Sequence, residues 1–343
     1  MQTDPTTAGG AAASGREAET PFAIPHTGWW HILGRVLRRF QQENLGLVAA
    51  GVGFYSLLGL FPAIAALVTT YGLVFDPAQI QAQFDALHGL MPEAAHRLIA
   101  TQLTSAAEGS ERALGVGLVS AILLSFWGAT RGTRALIIAL NIVYDEHEKR
   151  GFFALNLLAF GLTLFLILVL GAAIVVTLAV PVVLNLVSLG SLPEALTNWL
   201  RWPLLALVGL LALAILYRYG PARRTARWHW LPVGSVVAGV LWIGASVLFS
   251  TYVQYFGSYN ATYGSIGAVI VLLLWLYLTA VAVIIGAGIN AEAERQTARD
   301  STIGRPRPRG ERGAVVADRL PGEPAAFDDA NASSSEAAPS HDR

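Results

Sequence analysis

The chain has 343 residues, of which 54% are hydrophobic and only 13% charged, against about 25% charged in an ordinary soluble domain. Its mean hydropathy is +0.52, too apolar for its polar residues to cover a water-facing surface, so a soluble globular class is excluded. The formal net charge is zero and cysteine is absent, which removes a basic nucleic-acid binder, disulfides, thiolate nucleophiles and cysteine-held metals from consideration.

In chain order, residues 1–27 are small and polar, with no apolar core of a signal peptide, and read as a disordered cytoplasmic segment. Insertion is then expected to depend on an uncleaved apolar span. Trp30, Leu33, Leu37 and Phe40 recur at helical spacing with Arg35, Arg38 and Arg39 mostly opposite, the pattern of an interfacial helix on an anionic leaflet. Six apolar segments follow at about 46–74, 113–130, 153–180, 199–218, 230–252 and 264–289. Each approaches the roughly 20 residues that a helix needs to cross the hydrocarbon core. Between the first two, Ile80, Phe84, Leu87, Leu90 and Met91, then Ala95, Leu98, Ile99 and Leu103, form two apolar stripes and predict short amphipathic helices on an outer loop. Residues 294–343 are rich in Arg, Pro, Gly, Ala and acids and read as a disordered cytoplasmic tail.

Charge gives the topology. Arg35, Arg38 and Arg39 precede the first span, and Arg131, Arg134, Lys149 and Arg150 lie between the second and third. Arg218, Arg223, Arg224 and Arg227 lie between the fourth and fifth, and Arg295, Arg299, Arg305, Arg307, Arg309 and Arg312 follow the sixth. The alternate loops are acidic or almost uncharged: 75–112 has Arg97 and Arg112 against Asp76, Asp85, Glu93, Glu108 and Glu111. The positive-inside rule then predicts an all-α polytopic bundle of six spans over 28–293, with both termini cytoplasmic. Trp127, Trp202, Trp228, Trp230, Tyr252 and Tyr255 are expected in the interfacial aromatic belts.

Three stretches together carry a family resemblance. The run from Asn44 through Phe54-Tyr55-Ser56 to Leu60-Phe61-Pro62 is one. Ser125-Phe126-Trp127-Gly128-Ala129-Thr130-Arg131 to Asn141-Ile142-Val143-Tyr144 is the second, and Tyr263-Gly264-Ser265-Ile266-Gly267 through Trp275-Leu276-Tyr277 to Gly286-Ala287-Gly288-Ile289-Asn290 is the third. In order and spacing the chain resembles the YihY/BrkB family along roughly 28–294. It departs from it at Gly59, where relatives usually carry Ser, and at Pro232-Val233-Gly234-Ser235, where they carry a Pro-Gly-Ala run. The resemblance implies a six-span protein of the bacterial inner membrane, usually described as a transporter. Members of the family were also long labelled ribonuclease BN.

The residues do not favour a nuclease. The seven histidines form no HxH or HxxxH pair, and Asp145, Glu146 and Glu148 read as a charged turn. There is no Walker A, GxSxG or dinucleotide fingerprint either. The chain is therefore expected to be no enzyme, with no catalytic residue, cofactor, metal or nucleic-acid partner. Its expected partners are the lipid bilayer and an anionic lipid or small-molecule substrate.

The candidate contacts for that substrate are Arg131, Arg134, Asn141, Tyr55 and Ser56. Arg131 and Arg134 share a helix face. Either the second span ends near Thr130 and both arginines sit at headgroup level, or the helix is longer and they lie deeper, facing a cavity. Asn141 either bonds between helices or lines a path. Pro62 is expected to bend the first span, and the bend beside Tyr55 and Ser56 either makes a polar notch or is filled by a neighbouring helix. A lipid- or anion-moving permease leads, ahead of a non-transporting scaffold for envelope assembly and a membrane enzyme.

Overall fold

A computed structural model describes residues 15–72, 116–186, 194–255 and 258–323. Among the described residues the regular structure is helical, with no strand and one isolated bridge between Ala226 and Thr302. Helix α1 covers His26–Gln42 and α2 Leu45–Gly72. Then come α3, Val116–Val143, α4, Phe152–Leu186, α5, Glu194–Tyr219, α6, Pro232–Tyr255, and α7, Ser258–Gln296. A single turn, α8, covers Val315–Asp318.

Apolar runs settle into helices because a helix satisfies its own backbone donors and acceptors where lipid offers none. The breaks have local causes. Asn44 and Asp145 adopt positive φ of 51° and 54°, a conformation that short polar side chains tolerate best after glycine. They turn the chain after α1 and after α3. Pro232 opens α6, where its missing N–H costs nothing.

The long helices correspond one to one with the six expected segments. Each packs on its neighbours in sequence, and α7 returns to both α2 and α3 to close the ring. Five are long and apolar enough to cross a membrane: Leu45–Ile64, Phe152–Thr177, Arg201–Tyr219, Trp228–Gln254 and Gly267–Gln296. The expected second span is not among them. In the structure it forms α3, which runs past Thr130 to Val143 and carries Arg131 and Arg134 inside it, and the two charges lower its hydropathy. The outward surface is apolar: Phe153 is 86% exposed, and Leu157, Leu168, Leu170, Val240 and Leu248 are also open. Contiguous apolar exposure on this scale marks contact with lipid or protein.

The core concentrates at one end of the ring. Ile137 and Leu140 of α3, Ala159 and Leu162 of α4, Tyr217 of α5 and Ile284 and Ala287 of α7 are buried together there. Close approach of backbones supplies the remaining packing. A Cβ on Gly59 would lie 2.6 Å from the Ala129 amide nitrogen, and one on Gly128 would lie 2.5 Å from Gly59 Cα, so α2 and α3 cross in direct backbone contact. Gly234 and Gly286 do the same for α6 and α7.

The expected disorder of both tails is corrected over their described parts. Ala18 and Ile24 are buried against Ile32, Trp230 and Ile289, and the Ala298 N–H donates to the Arg16 carbonyl at 2.8 Å. Beyond α7, Arg312 is buried and donates to the carbonyls of Ala298, Arg299, Arg307 and Ala317, while Val316 and Ala317 are buried beside it. The charged composition that suggested disorder is consumed in these contacts. Residues 1–14, 324–343 and the two expected outer-loop helices lie outside the described residues.

Candidate functional site

All four basic segments meet at one end of the ring. Arg39 of α1 donates to Asp145, after α3, at 2.6 Å and to Glu292 of α7 at 3.0 Å. Arg35 reaches Glu292 at 2.5 Å and Gln296 at 2.7 Å, and Arg295 also pairs with Asp145. Arg223, between α5 and α6, pairs with Glu294 at 2.7 Å, with both side chains at most 2% exposed, and its guanidinium lies 4.7 Å from the Tyr144 ring centroid. Arg150 donates to the carbonyls of Gly220 and Pro221. The start of α2, the ends of α3, α5 and α7 and the start of α6 are thereby tied together. The chain must run away from this end and back three times.

The electrostatics of this polar end follow from burial and pairing. Burial alone would lower the pKa of Arg39, but Asp145, Glu43 and Glu292 outweigh it and hold the guanidinium charged. Burial pushes the Glu43 carboxyl up, with Arg39 opposing it. The Tyr144 hydroxyl is also pushed up, by burial first and by Glu294 second.

Arg131 and Arg134 lie elsewhere. Arg131 stands twelve residues before Val143, about 18 Å along the helix axis. Its neighbours stand at the same level of the bundle. Gly132 packs on Ser56, where a Cβ would stand 3.2 Å from the hydroxyl oxygen, and Ser56 is near the middle of the span Leu45–Ile64. Thr163 donates to Thr133 at 2.8 Å, and Thr163 is near the middle of the span Phe152–Thr177. The helix therefore continues past Thr130, and both arginines lie within it rather than at its end.

The two arginines differ in their surroundings. Arg134 is partly buried and reaches back toward the polar end, donating to Asn156 Oδ1 at 3.3 Å. Arg131 is exposed, 5.5 Å from the centroid of the Trp127 ring, and has no acidic partner among the described residues. Around it the same face of α3 shows Val119, Leu123, Leu124 and Ile138. It is a cation in the middle of an apolar stripe.

The other candidates are not gathered around it. Asn141 is buried near the polar end, where it donates to Glu148 at 2.9 Å and accepts from the Ala222 N–H at 2.8 Å. Its side chain thus bridges the end of α3 to the loops that follow α3 and α5. Ser56 faces Gly132, so α3 fills the notch expected beside it. Tyr55 is partly buried with its ring edge-on to Phe54. Pro62 sits inside α2, which continues through it to Gly72. Of the expected belt residues, Trp230 is corrected, since it is buried in the turn before α6, and Trp127 lies at mid-helix beside Arg131.

Sequence reasoning missed the acids at the end of α7. Glu292 and Glu294 follow an apolar helix directly, and two acids in the last turn of such a run are the signal that could have marked them. Their partners, Arg35, Arg39 and Arg223, had been counted only as topological charges.

Comparison with known proteins gives a family for the chain. The family described as virulence factor BrkB matches residues 36–311. A ribonuclease-like protein named YfkH from Bacillus subtilis is 31% identical over 264 residues, covering 76% of this chain and 94% of the relative. A UPF0761 membrane protein of Idiomarina loihiensis is 22% identical and covers 75% and 88%. Another UPF0761 membrane protein, from Rhodospirillum centenum, is 28% identical, and the match spans 56% of its length. No solved structure matches.

Proposed function

We propose that this membrane protein, which belongs to the BrkB family, is a permease that moves an anionic lipid or small anion across the bilayer, with Arg131 as its central substrate contact. The observation that carries this is the position of Arg131: at mid-helix, level with the middles of the apolar helices α2 and α4, exposed, and without an acidic partner among the described residues. A charged side chain at that depth is expensive in lipid and is found facing a wet cavity or an opposite charge. A passing anion supplies that charge. Arg134, one turn nearer the polar end and leaning toward it, is the next contact along the path.

The polar end is assigned to the cytoplasm of a bacterial inner membrane, with six crossings and both termini inside. Support comes from the meeting of all four basic segments at that end and the acidic character of the first opposite loop. We read the chain as a non-enzyme. The ribonuclease-like name of the Bacillus relative belongs to that protein. Among the described residues here, no group of three or more His, Asp or Glu is placed to hold a metal ion.

The test is reconstitution of the purified full-length protein in liposomes. Lipid transbilayer movement is read by dithionite bleaching of a labelled phosphatidylglycerol, and anion flux by efflux of a trapped anion. Movement of at least one above the rate of empty liposomes, reduced tenfold or more in Arg131→Gln, is expected. No movement of either, or equal rates in the variant, would remove the reading.

A further inference from the structure

At the polar end lies a second, separate feature: an open cavity of about 210 Å³ between α1, the last turn of α7 and the chain after α8. Arg35, Arg38 and Arg39 line it from one side, Glu292 and Arg295 from another, and Gly322 forms its lip. The lip is held by Arg309, whose guanidinium clasps the Glu323 carboxylate at 2.6 and 2.8 Å.

Charge in this cavity is not balanced. Four guanidiniums meet three carboxylates, those of Glu43, Asp145 and Glu292. The surplus falls on Arg38, while Arg295, though paired with Asp145 and Glu292, keeps one donor unmatched. Arg38 is exposed and makes one long hydrogen bond, from Nε to the Gly34 carbonyl at 3.3 Å. The Arg295 side chain is only 11% exposed, yet its Nε, 3.4 Å from Glu292, is buried without a hydrogen bond. A buried guanidinium donor left unmatched is costly, and guanidinium forks suit the oxygens of phosphate.

Position adds to the argument. Helix α1 has three faces. Ile32 and Val36 are buried against the bundle, Arg35 and Arg39 turn to the polar network, and Trp30, Leu33 and Leu37 are exposed one turn apart. An exposed apolar stripe of this kind seats a helix in the membrane interface, which puts the cavity at headgroup level.

We propose that this cavity binds one phosphate group, either of an anionic lipid headgroup or free in solution, between Arg38 and Arg295. It is distinct from the mid-helix Arg131 and does not depend on transport.

The test uses full-length protein purified without phosphate. Inorganic phosphate is titrated calorimetrically. In parallel, protein released from nanodiscs of phosphatidylcholine with or without phosphatidylglycerol is weighed by native mass spectrometry. Saturable binding of phosphate assigns the site to a free anion, and retention of one phosphatidylglycerol assigns it to a lipid; either supports the proposal if Arg38→Gln weakens it at least fivefold and Arg131→Gln does not. Arg38 is exposed and in no described ion pair, so its variant keeps the fold; Arg295→Gln, checked for helix content, should act likewise. Binding of neither ligand, or binding unchanged in Arg38→Gln, overturns the proposal.

Discussion

Arg131 and Arg134 are three residues apart, yet they sit in different environments. The longer reach toward the polar end is available to Arg134, which finds Asn156. Arg131 is left on an apolar face with Trp127. The absence of cysteine from the chain makes this directly measurable. In sealed vesicles, Arg131→Cys should react with a charged, water-soluble thiol reagent. Leu168→Cys, on an exposed apolar part of α4, should not. If both positions stay unmodified, no water reaches Arg131. The buried Arg223–Glu294 pair makes a second residue-scale prediction. Removing one partner strands a charge that is shut off from water, a loss of about 3–5 kcal/mol. Arg223→Met or Glu294→Gln alone should therefore melt well below the wild type in detergent. The double variant Arg223→Met with Glu294→Met should recover most of the difference, and a double variant as unstable as the singles would refute the pairing. The sequence made the arginines of α3 and Asn141 stand out as polar exceptions in apolar runs. It could not give their depth, because whether a helix continues past two charges depends on what packs beside it.

Between elements, the decisive contacts are made by the smallest residues. The α2–α3 crossing has no side chain between Gly59 and Gly128, and the α6–α7 crossing has none between Gly234 and Gly286. In lipid, where apolar burial does not drive helices together, such close approach is a main source of association. Gly59 was legible as a small residue in an apolar span, but its partner was not, since nothing in either segment says which faces meet. Gly51 shows the limit of that reasoning: it has the same composition signal, and nothing lies within 4 Å of a Cβ placed on it. Gly59→Ala and Gly128→Ala should each lower stability by about 1–3 kcal/mol, the usual range for overpacking. Gly51→Ala should leave it unchanged or slightly raised, because alanine favours the helix. Thermal unfolding followed by size-exclusion chromatography separates the cases, and equal melting of all three variants would show that the crossing is looser than described.

At the scale of the whole molecule, the ring is closed by its polar end, and that end includes chain whose composition suggested disorder. The segment after α7 has few apolar residues, so its fold left little trace in hydropathy. It is ordered instead by pairing with groups more than a hundred residues away, as where the Val315 N–H donates to Glu146 at 2.7 Å. Asp300 organises the first loop of this segment, accepting from the Thr302 N–H and hydroxyl and from the Arg307 N–H at 2.8 to 2.9 Å. Burial pushes its carboxyl up, but those donors outweigh burial and hold it below the ordinary carboxylate value of 3.8. A carboxyl depressed in the folded state contributes stability that is present above 3.8 and lost as pH falls through the lower folded value. The extension should therefore stay ordered at pH 5 and loosen below pH 3.8. Hydrogen exchange at Thr302 and Arg307, corrected for intrinsic rates, should rise over that interval in the wild type. In Asp300→Asn exchange should already be fast at pH 7, with little further change through Asp300's range. Trypsin should then cut that variant sooner after Arg312, which the folded extension buries. Equal protection of Thr302 in the two proteins at pH 7 would mean that the carboxylate does not order the loop, and the extension would have to be held by Arg312 and Glu146 alone.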